Sequence, residues 1–399
     1  MYARENVQHT LFRQSVFNTD PGTPAGTLVP RDAKSVLVTD RNKLDNAQIF
    51  TDGFEREFAL GNFNVAYTLG AICNLNFFGA LLIAISGVNP APSGQGITSI
   101  AVTSGGTGYT TPTLIIPAPP AGGVQATGTL TVGAGIITAV IITNPGAGYT
   151  GTVTPTIGTP GGGTGGVLAN AVLGTTYSRV FRLCAPGLPG IYHELEEGVI
   201  GSPSLYYKYL DLIGQKLSCK WGVEGIMAAD LAMVGSGNQL AAPGASPLDA
   251  AASELTGAPG EYANITTLQD GSDPGNVTDL AFDIDRKVIT KRVHGASGKA
   301  KALLYGKSMV RGTLTKYFES DADWLKARSA TLIALKSTLT SGFYSLEASM
   351  PEVKLKPSGL KIDSEDGVMQ PFEFSSLRKS NTTDTPIKLT LVNGVAAYA

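Results

Sequence analysis

His193-Glu-Leu-Glu-Glu197 opens like the helix of a zinc hydrolase, where two histidines one turn apart hold the metal and a glutamate serves as base. The second histidine is missing, because position 197 is Glu, and His9, His193 and His294 are the only histidines in 399 residues. Gly306-Lys-Ser308 has the closing residues of a phosphate loop, yet the glycine required five positions earlier is Lys301. Gly298-Lys299 fails in the same way, with Val293 upstream and Ala300 downstream. Gly235-Ser-Gly237 lacks the G-x-S-x-G frame of a nucleophile elbow. Asp363-Ser-Glu-Asp-Gly367 gathers three carboxylates beside a glycine without the spacing of a calcium loop, and reads as a solvated turn. A glycosidase needs two carboxylates at a defined separation, and Glu194, Glu196 or Asp363 could be conscripted, but no surrounding pattern makes a site of them. No catalytic, cofactor-binding or metal-ligating residue is assigned on these grounds, and an enzyme is not expected.

One charged constellation remains. Arg286, Lys287, Lys291, Arg292, Lys299, Lys301, Lys307 and Arg311 crowd into 26 positions, with Tyr305 as the only aromatic among them. Bases of a single strand would find little to stack on there. The segment reads as a basic loop or hairpin meeting solvent or an acidic neighbour. The whole chain carries a net charge of −2, so no basic field of the nucleic-acid-binding kind is present.

The elements that carry these residues follow from composition and period. At 399 residues two or three domains are expected. Charged residues make up 16%, against the roughly 25% usual in soluble domains, while 49 Gly and 23 Pro suit a β-rich chain with many turns. Three distant cysteines, Cys73, Cys184 and Cys219, argue against a disulfide framework and against zinc. Met1-Tyr-Ala-Arg-Glu5 has no apolar signal region, and the run Phe77–Ile85 is too short to span a membrane. That run is expected to be a short buried helix.

Residues 58–178 hold no charged side chain, and one pattern is written twice inside them. Ile97-Thr-Ser-Ile-Ala-Val-Thr-Ser-Gly-Gly-Thr-Gly-Tyr-Thr110 returns 40 residues later as Ile137-Thr-Ala-Val-Ile-Ile-Thr-Asn-Pro-Gly-Ala-Gly-Tyr-Thr150. Ile100 and Val102, like Val140 and Ile142, alternate with polar or small neighbours, which places each pair on one face of a strand. Gly105-Gly106 and Pro145-Gly146 are expected to turn the chain. The division expected is a host of residues 1–89 and 175–399 interrupted by a neutral β-sandwich module at 90–174. Within the host, Leu217, Cys219, Trp221 and Val223 share a strand face. Residues 228–262 read as a long excursion, ordered by a neighbour. Val310, Gly312 and Leu314 mark a strand, and Ser320 with Asp323 suggests a capped helix carrying Trp324, Leu325, Arg328, Leu332 and Leu335. That helix is expected to pack on the face of Leu314 and Phe318. Val353/Leu355, Phe372/Phe374 and Ile387/Leu389/Leu391 mark further strands. The fold class is therefore mostly β, an α+β variant: an antiparallel sandwich or half-barrel with one packed helix and an inserted small sandwich.

The C-terminal third carries a resemblance. Val310-Arg-Gly-Thr-Leu-Thr-Lys-Tyr-Phe-Glu-Ser-Asp-Ala-Asp323 resembles the strand-to-helix step of the major tail tube proteins of phages with long non-contractile tails. Met350-Pro-Glu-Val-Lys-Leu355, Asp366-Gly-Val-Met-Gln-Pro-Phe-Glu-Phe374 and Ile387-Lys-Leu-Thr-Leu-Val392 are similar to that family's later strands. Leu28-Val-Pro-Arg31 and Lys34-Ser-Val-Leu-Val-Thr39 are similar to its opening arm, and Gln215–Val223 fits a central strand. The 90–174 module departs from the plain family pattern and resembles immunoglobulin-like additions on virion proteins. The resemblance implies stacked hexameric rings around a DNA channel, with tail terminator, tail tip and tape measure proteins as partners. It implies no cofactor and no membrane, and a place in the virion after assembly in the host cytoplasm. Residues 90–174 are expected to face outward, as decoration or in contact with host-surface glycans. The alternative reading is a head decoration or adhesin-like virion protein.

Overall fold

The computed structural model describes residues 7–22, 26–30, 35–44, 59–72, 74–120, 123–159, 161–199, 205–222, 228–241, 252–257, 265–295, 297–357, 359, 361–363, 367–378 and 385–398. The fold is mostly β with two helices among these residues, and its sheets stay open without closing into a barrel.

Strand Leu205–Gly222 is the spine. Its first half lies between Tyr192–Val199 and Gln239–Ala241, and its second half between Ala228–Gly235 and Val277–Asp285. One ladder then runs from Val36–Leu44 through Ala59–Ile72, Ala228–Gly235, the spine, Val277–Asp285, Met309–Tyr317 and Gly367–Ser376 to Tyr344–Pro357. Tyr344–Pro357 pairs along one edge with Leu332–Ser341 and along the other with Lys388–Asn393 and then Gly367–Ser376. Every pair in this ladder is antiparallel, and the expected alternation holds. Leu217, Cys219, Trp221, Val310, Leu314, Val353, Leu355, Phe372, Phe374, Ile387, Leu389 and Leu391 are all buried in one cluster. Val223 lies outside the described residues.

The spine changes sheets at Asp211, a buried residue with φ of 62°, where a side chain is costly unless neighbours hold it. Its carboxylate accepts hydrogen bonds from Gln14 Nε2 (2.8 Å), the Asn18 amide (2.6 Å) and Ser236 Oγ (2.6 Å). Three segments are thereby pinned to the corner.

The greasy run forms helix α1, Leu75–Ser86, all of whose residues except Asn76 are buried. The Asn74 side chain caps its start by accepting the Asn76 amide, and Gly87, at φ 72°, ends it. A helix apolar on every side has to sit inside. It packs against the spine, Lys388–Asn393, Val172–Arg182 and Tyr344–Pro357. Each of Phe77, Phe78, Leu81, Leu82, Ile83 and Ile85 gains about 1.5–3 kcal/mol from burial. The carbonyls of Ile85 and Ser86 at its C-terminus accept from the buried Arg286 guanidinium, which lies 3.7 Å over the Tyr305 ring.

In the neutral region each copy of the repeat pairs with a strand outside the repeat. Val102–Thr107 pairs with Thr164–Leu168, Thr113–Ile115 with Thr156–Gly158, and Thr127–Gly133 with Ile136–Asn144. Ile97, Ile100, Ile116, Ala126, Tyr149 and Val153 form a separate small core. The repeated tyrosines are buried plugs: Tyr149 Oη accepts the Ala126 amide at 2.8 Å, and Tyr109 Oη accepts the Gly166 amide at 3.0 Å. Gln95–Ser99 and Val172–Arg182, which lead into and out of the region, are hydrogen-bonded to each other.

Three expectations are corrected. The second helix, α2, spans only Ala322–Arg328, and Leu332 to Ser341 is a strand in which Leu335 is buried and Leu332 is exposed. Trp324 and Leu325 face outward rather than onto Leu314, and Phe318 is itself exposed. No side chain caps α2, because Asp323 is drawn to Lys316 (2.7 Å) and Gln269 (2.7 Å) instead. The packed helix is α1. Residues 228–235 are not an excursion but an inner strand with Ala229, Leu231 and Met233 buried, a period masked by small residues. Residues 242–251 and 258–264 of that stretch lie outside the described residues. Gly105-Gly106 sits inside strand Val102–Thr107, whereas Pro145-Gly146 does turn, with Asn144 Oδ1 accepting the Gly146 amide.

Candidate functional site

The motif His193–Glu197 lies on strand Tyr192–Val199, so its side chains alternate between faces instead of lining one side of a helix. His193 is buried, and burial pulls its pKa down to about 4. Glu194 is also fully buried, opposite Phe12 on Val7–Gln14, and burial pushes its carboxyl up to about 7 against the pull of Lys208 at 3.3 Å. Nearby Asp20 and Glu196 push it the same way. Lys208 reaches Asp20 at 3.4 Å and the Gly22 carbonyl at 3.3 Å, so one cation serves the buried Glu194 and the partly exposed Asp20. Asp363 belongs to strand Lys361–Asp363, which pairs with Gly367–Ser376, whereas Glu194 and Glu196 sit between Val7–Gln14 and the spine. The structure does not assemble these carboxylates around an open cleft. Ser364 to Asp366 lie outside the described residues.

The other motifs are absorbed by architecture. Ser236 is buried and donates to Asp211. Lys299 donates to Asn238 Oδ1 at 2.6 Å. Gly306-Lys-Ser308 leads into strand Met309–Tyr317, with no helix to present amides to a phosphate. The basic segment is a hairpin, as expected, of Val288–Lys291 and Ala302–Tyr305. Arg292 is taken up by the carbonyls of Gly298 (2.7 Å) and Phe63 (2.9 Å).

What remains exposed is surface suited to assembly. Val36–Leu44 ends the large ladder, paired on one side with Ala59–Ile72 and with no second strand among the described residues. Val36 and Val38 on it are 50% and 49% exposed. Tyr317, Phe318, Trp324, Leu325 and Leu332 expose a second apolar area around α2. Sequence reasoning missed it by counting Trp324, Leu325 and Leu332 into a core-facing helix, since a mixed apolar run says nothing of which side is covered. Asp211 was missed as well, and only its positive φ in a buried strand marks it.

A family model described as phage tail tube protein matches residues 7–376. The chain belongs to the phage tail tube protein family. The match spans the neutral region and strands on both sides of it. No curated protein matches the chain. The tail tube chain is a structural protein of the virion tail, where it assembles with further tail proteins. Among the described residues, none of its helices is long and apolar enough to cross a membrane.

Proposed function

We propose that this tail tube protein is the major tube subunit of a phage with a long non-contractile tail, and that it forms stacked six-membered rings around the channel through which DNA leaves. The supporting observation is the edge of Val36–Leu44, a nine-residue strand with exposed valines and one strand partner among the described residues. Such an edge recruits another strand unless it is blocked, and ring closure removes it. Burying about 1,000 Å² of apolar surface per contact gains on the order of 25 kcal/mol before ordering costs. A net charge of −2 suits a wall past which a polyanion slides without phosphates being held. Tail terminator, tail tip and tape measure proteins are the further partners of this reading.

Residues 90–174 are, in this proposal, a module set into a host of 1–89 and 175–399 and facing away from the channel. The adjacent entry and exit strands and the separate small core support it. The module decorates the tube or makes weak contact with cell-surface glycans. Both of its tyrosines are spent inside its core, so glycan contact would rest on threonine hydroxyls and not on aromatic stacking. Negative-stain microscopy of purified protein over a concentration series tests the reading. Hollow rods with six-fold end views are expected. Dispersed particles at every concentration and salt level would overturn it. The same rods should form when 90–174 is replaced by a short Gly-Ser linker; their loss in a folded host would put the module in the interface.

A further inference from the structure

Charge in this chain is segregated along one pair of strands. From Trp221 to Asp285 there is no Lys or Arg, and from Arg286 to Phe318 there is no Asp or Glu. Val277–Asp285 and Met309–Tyr317 are antiparallel neighbours, in register from Val277 opposite Lys316 to Asp285 opposite Met309. The hairpin that joins them therefore stands at one end of the pair, and the turns at 270–276 and 318–321 stand at the other. Nine residues at about 3.3 Å each set the two ends roughly 26 Å apart.

The hairpin end exposes Lys287, Lys291, Lys301 and Lys307. Asp285 is there too, its carboxylate accepting the Lys287 amide. The far end exposes Asp273, Glu319 and Asp321. The bases at that end are already engaged: Lys316 is buried on Asp323, Lys326 pairs with Asp270 at 3.1 Å, and Arg328 lies over Trp324. None of the four exposed lysines or three exposed acids forms an ion pair with another described residue. The acidic end also carries the exposed Phe318, Trp324 and Leu325, and the hairpin exposes Ile289 and Val293.

We infer that these two ends dock head to tail in successive copies, the basic hairpin of one copy seating on the acidic, apolar-edged end around α2 of the next. A heterologous contact between opposite ends of one molecule, set along the strand direction with no rotation that closes a ring, propagates into a filament. Complementary charge fixes the polarity, since hairpin to hairpin or acid to acid would repel. This inference rests on the tube reading above and assigns its stacking contact, as distinct from the strand edge proposed for ring closure.

Charge reversal on each end, alone and together, tests it by sedimentation and negative-stain microscopy. Lys291→Glu/Lys301→Glu and Glu319→Lys/Asp321→Lys should each raise the critical concentration for rod formation about tenfold or more. The four changes combined should return it to near the wild-type value, because the complementarity is restored with its signs exchanged. Wild-type rods should also weaken as salt rises past about 0.1 M, where the screening length is about 10 Å. All substitutions are at exposed positions, and an unchanged melting transition confirms that each variant folds. If the wild type forms no rods, the tube reading itself falls. If wild-type rods form and neither reversal shifts their critical concentration, only the stacking assignment falls. It falls equally if both reversals act but the combined variant stays dispersed while folded. Retention of a labelled DNA duplex that is lost in Lys291→Glu/Lys301→Glu, with rods unaffected, would reassign the hairpin to DNA.

Discussion

The charge-free region and the strands around it solve the same problem differently. The surrounding fold encloses one large core, with α1 buried almost throughout and two buried arginines, Arg179 and Arg286, whose terminal guanidinium nitrogens donate to backbone carbonyls. The neutral region has no charges and, among its described residues, a cluster of six buried apolar side chains; it pairs each copy of its repeat with a strand outside the repeat and caps amides with tyrosine hydroxyls. A thin β layer buries too little apolar area to define itself, so specific backbone hydrogen bonds carry more of its definition. A thick core tolerates buried charge because it can wrap it. Repetition is therefore visible as sequence in one region and absent from the other.

Four perturbations would break or sharpen this contrast. The largest effect is expected at Phe78→Ala in α1, a loss of about 3–5 kcal/mol in urea unfolding through an unfilled cavity. A loss under about 1 kcal/mol would show that α1 is not central to the large core. Tyr149→Phe removes the hydroxyl that accepts the Ala126 amide and donates to the Pro117 carbonyl. It should cost about 1–3 kcal/mol, seen as faster hydrogen exchange at Ala126 with exchange in α1 unchanged. Equal acceleration in both places would mean that the two cores unfold as one unit.

The third perturbation concerns pH. The folded pKa of Glu194 lies above its ordinary value, so the fold favours its protonated form. That contribution is complete below the ordinary carboxylate range and is lost as pH rises through about 7. Glu194→Gln should accordingly stabilise the protein more near pH ~8 than near pH ~5. A gain independent of pH would show that Glu194 does not titrate there. The smallest effect is expected at Leu332→Ala, within about 0.5 kcal/mol because the side chain is exposed. A loss above about 2 kcal/mol would return it to the core.

Period and length made much of this fold legible before any coordinates. Alternation located Leu217–Trp221, Val310–Leu314 and Phe372–Phe374, and the unbroken apolar run Phe77–Ile85 had to be buried whatever surrounded it. The failures share a cause. Trp324, Leu325 and Leu332 have helical spacing, but α2 ends at Arg328 and the chain joins a strand ladder whose partner, Tyr344–Pro357, is supplied from elsewhere. Ala228–Gly235 looked like a loop because Ala and Gly carry little hydrophobic signal, yet both neighbouring strands make it an inner member of the sheet. The exposed apolar areas were legible only as composition, since exposure is a property of what covers a residue.

The sequence by itself determined the local periods, the doubled neutral pattern, the buried helix and the absence of any complete catalytic motif, because each depends on residues close together in the chain. Tertiary structure alone decided that Glu194 is buried beside Lys208, that Asp211 turns the spine, and that the basic hairpin and the acidic turns stand at opposite ends of one strand pair. Those outcomes rest on partners distant in sequence, and strand pairing, burial and local dielectric are set by the partner as much as by the residue.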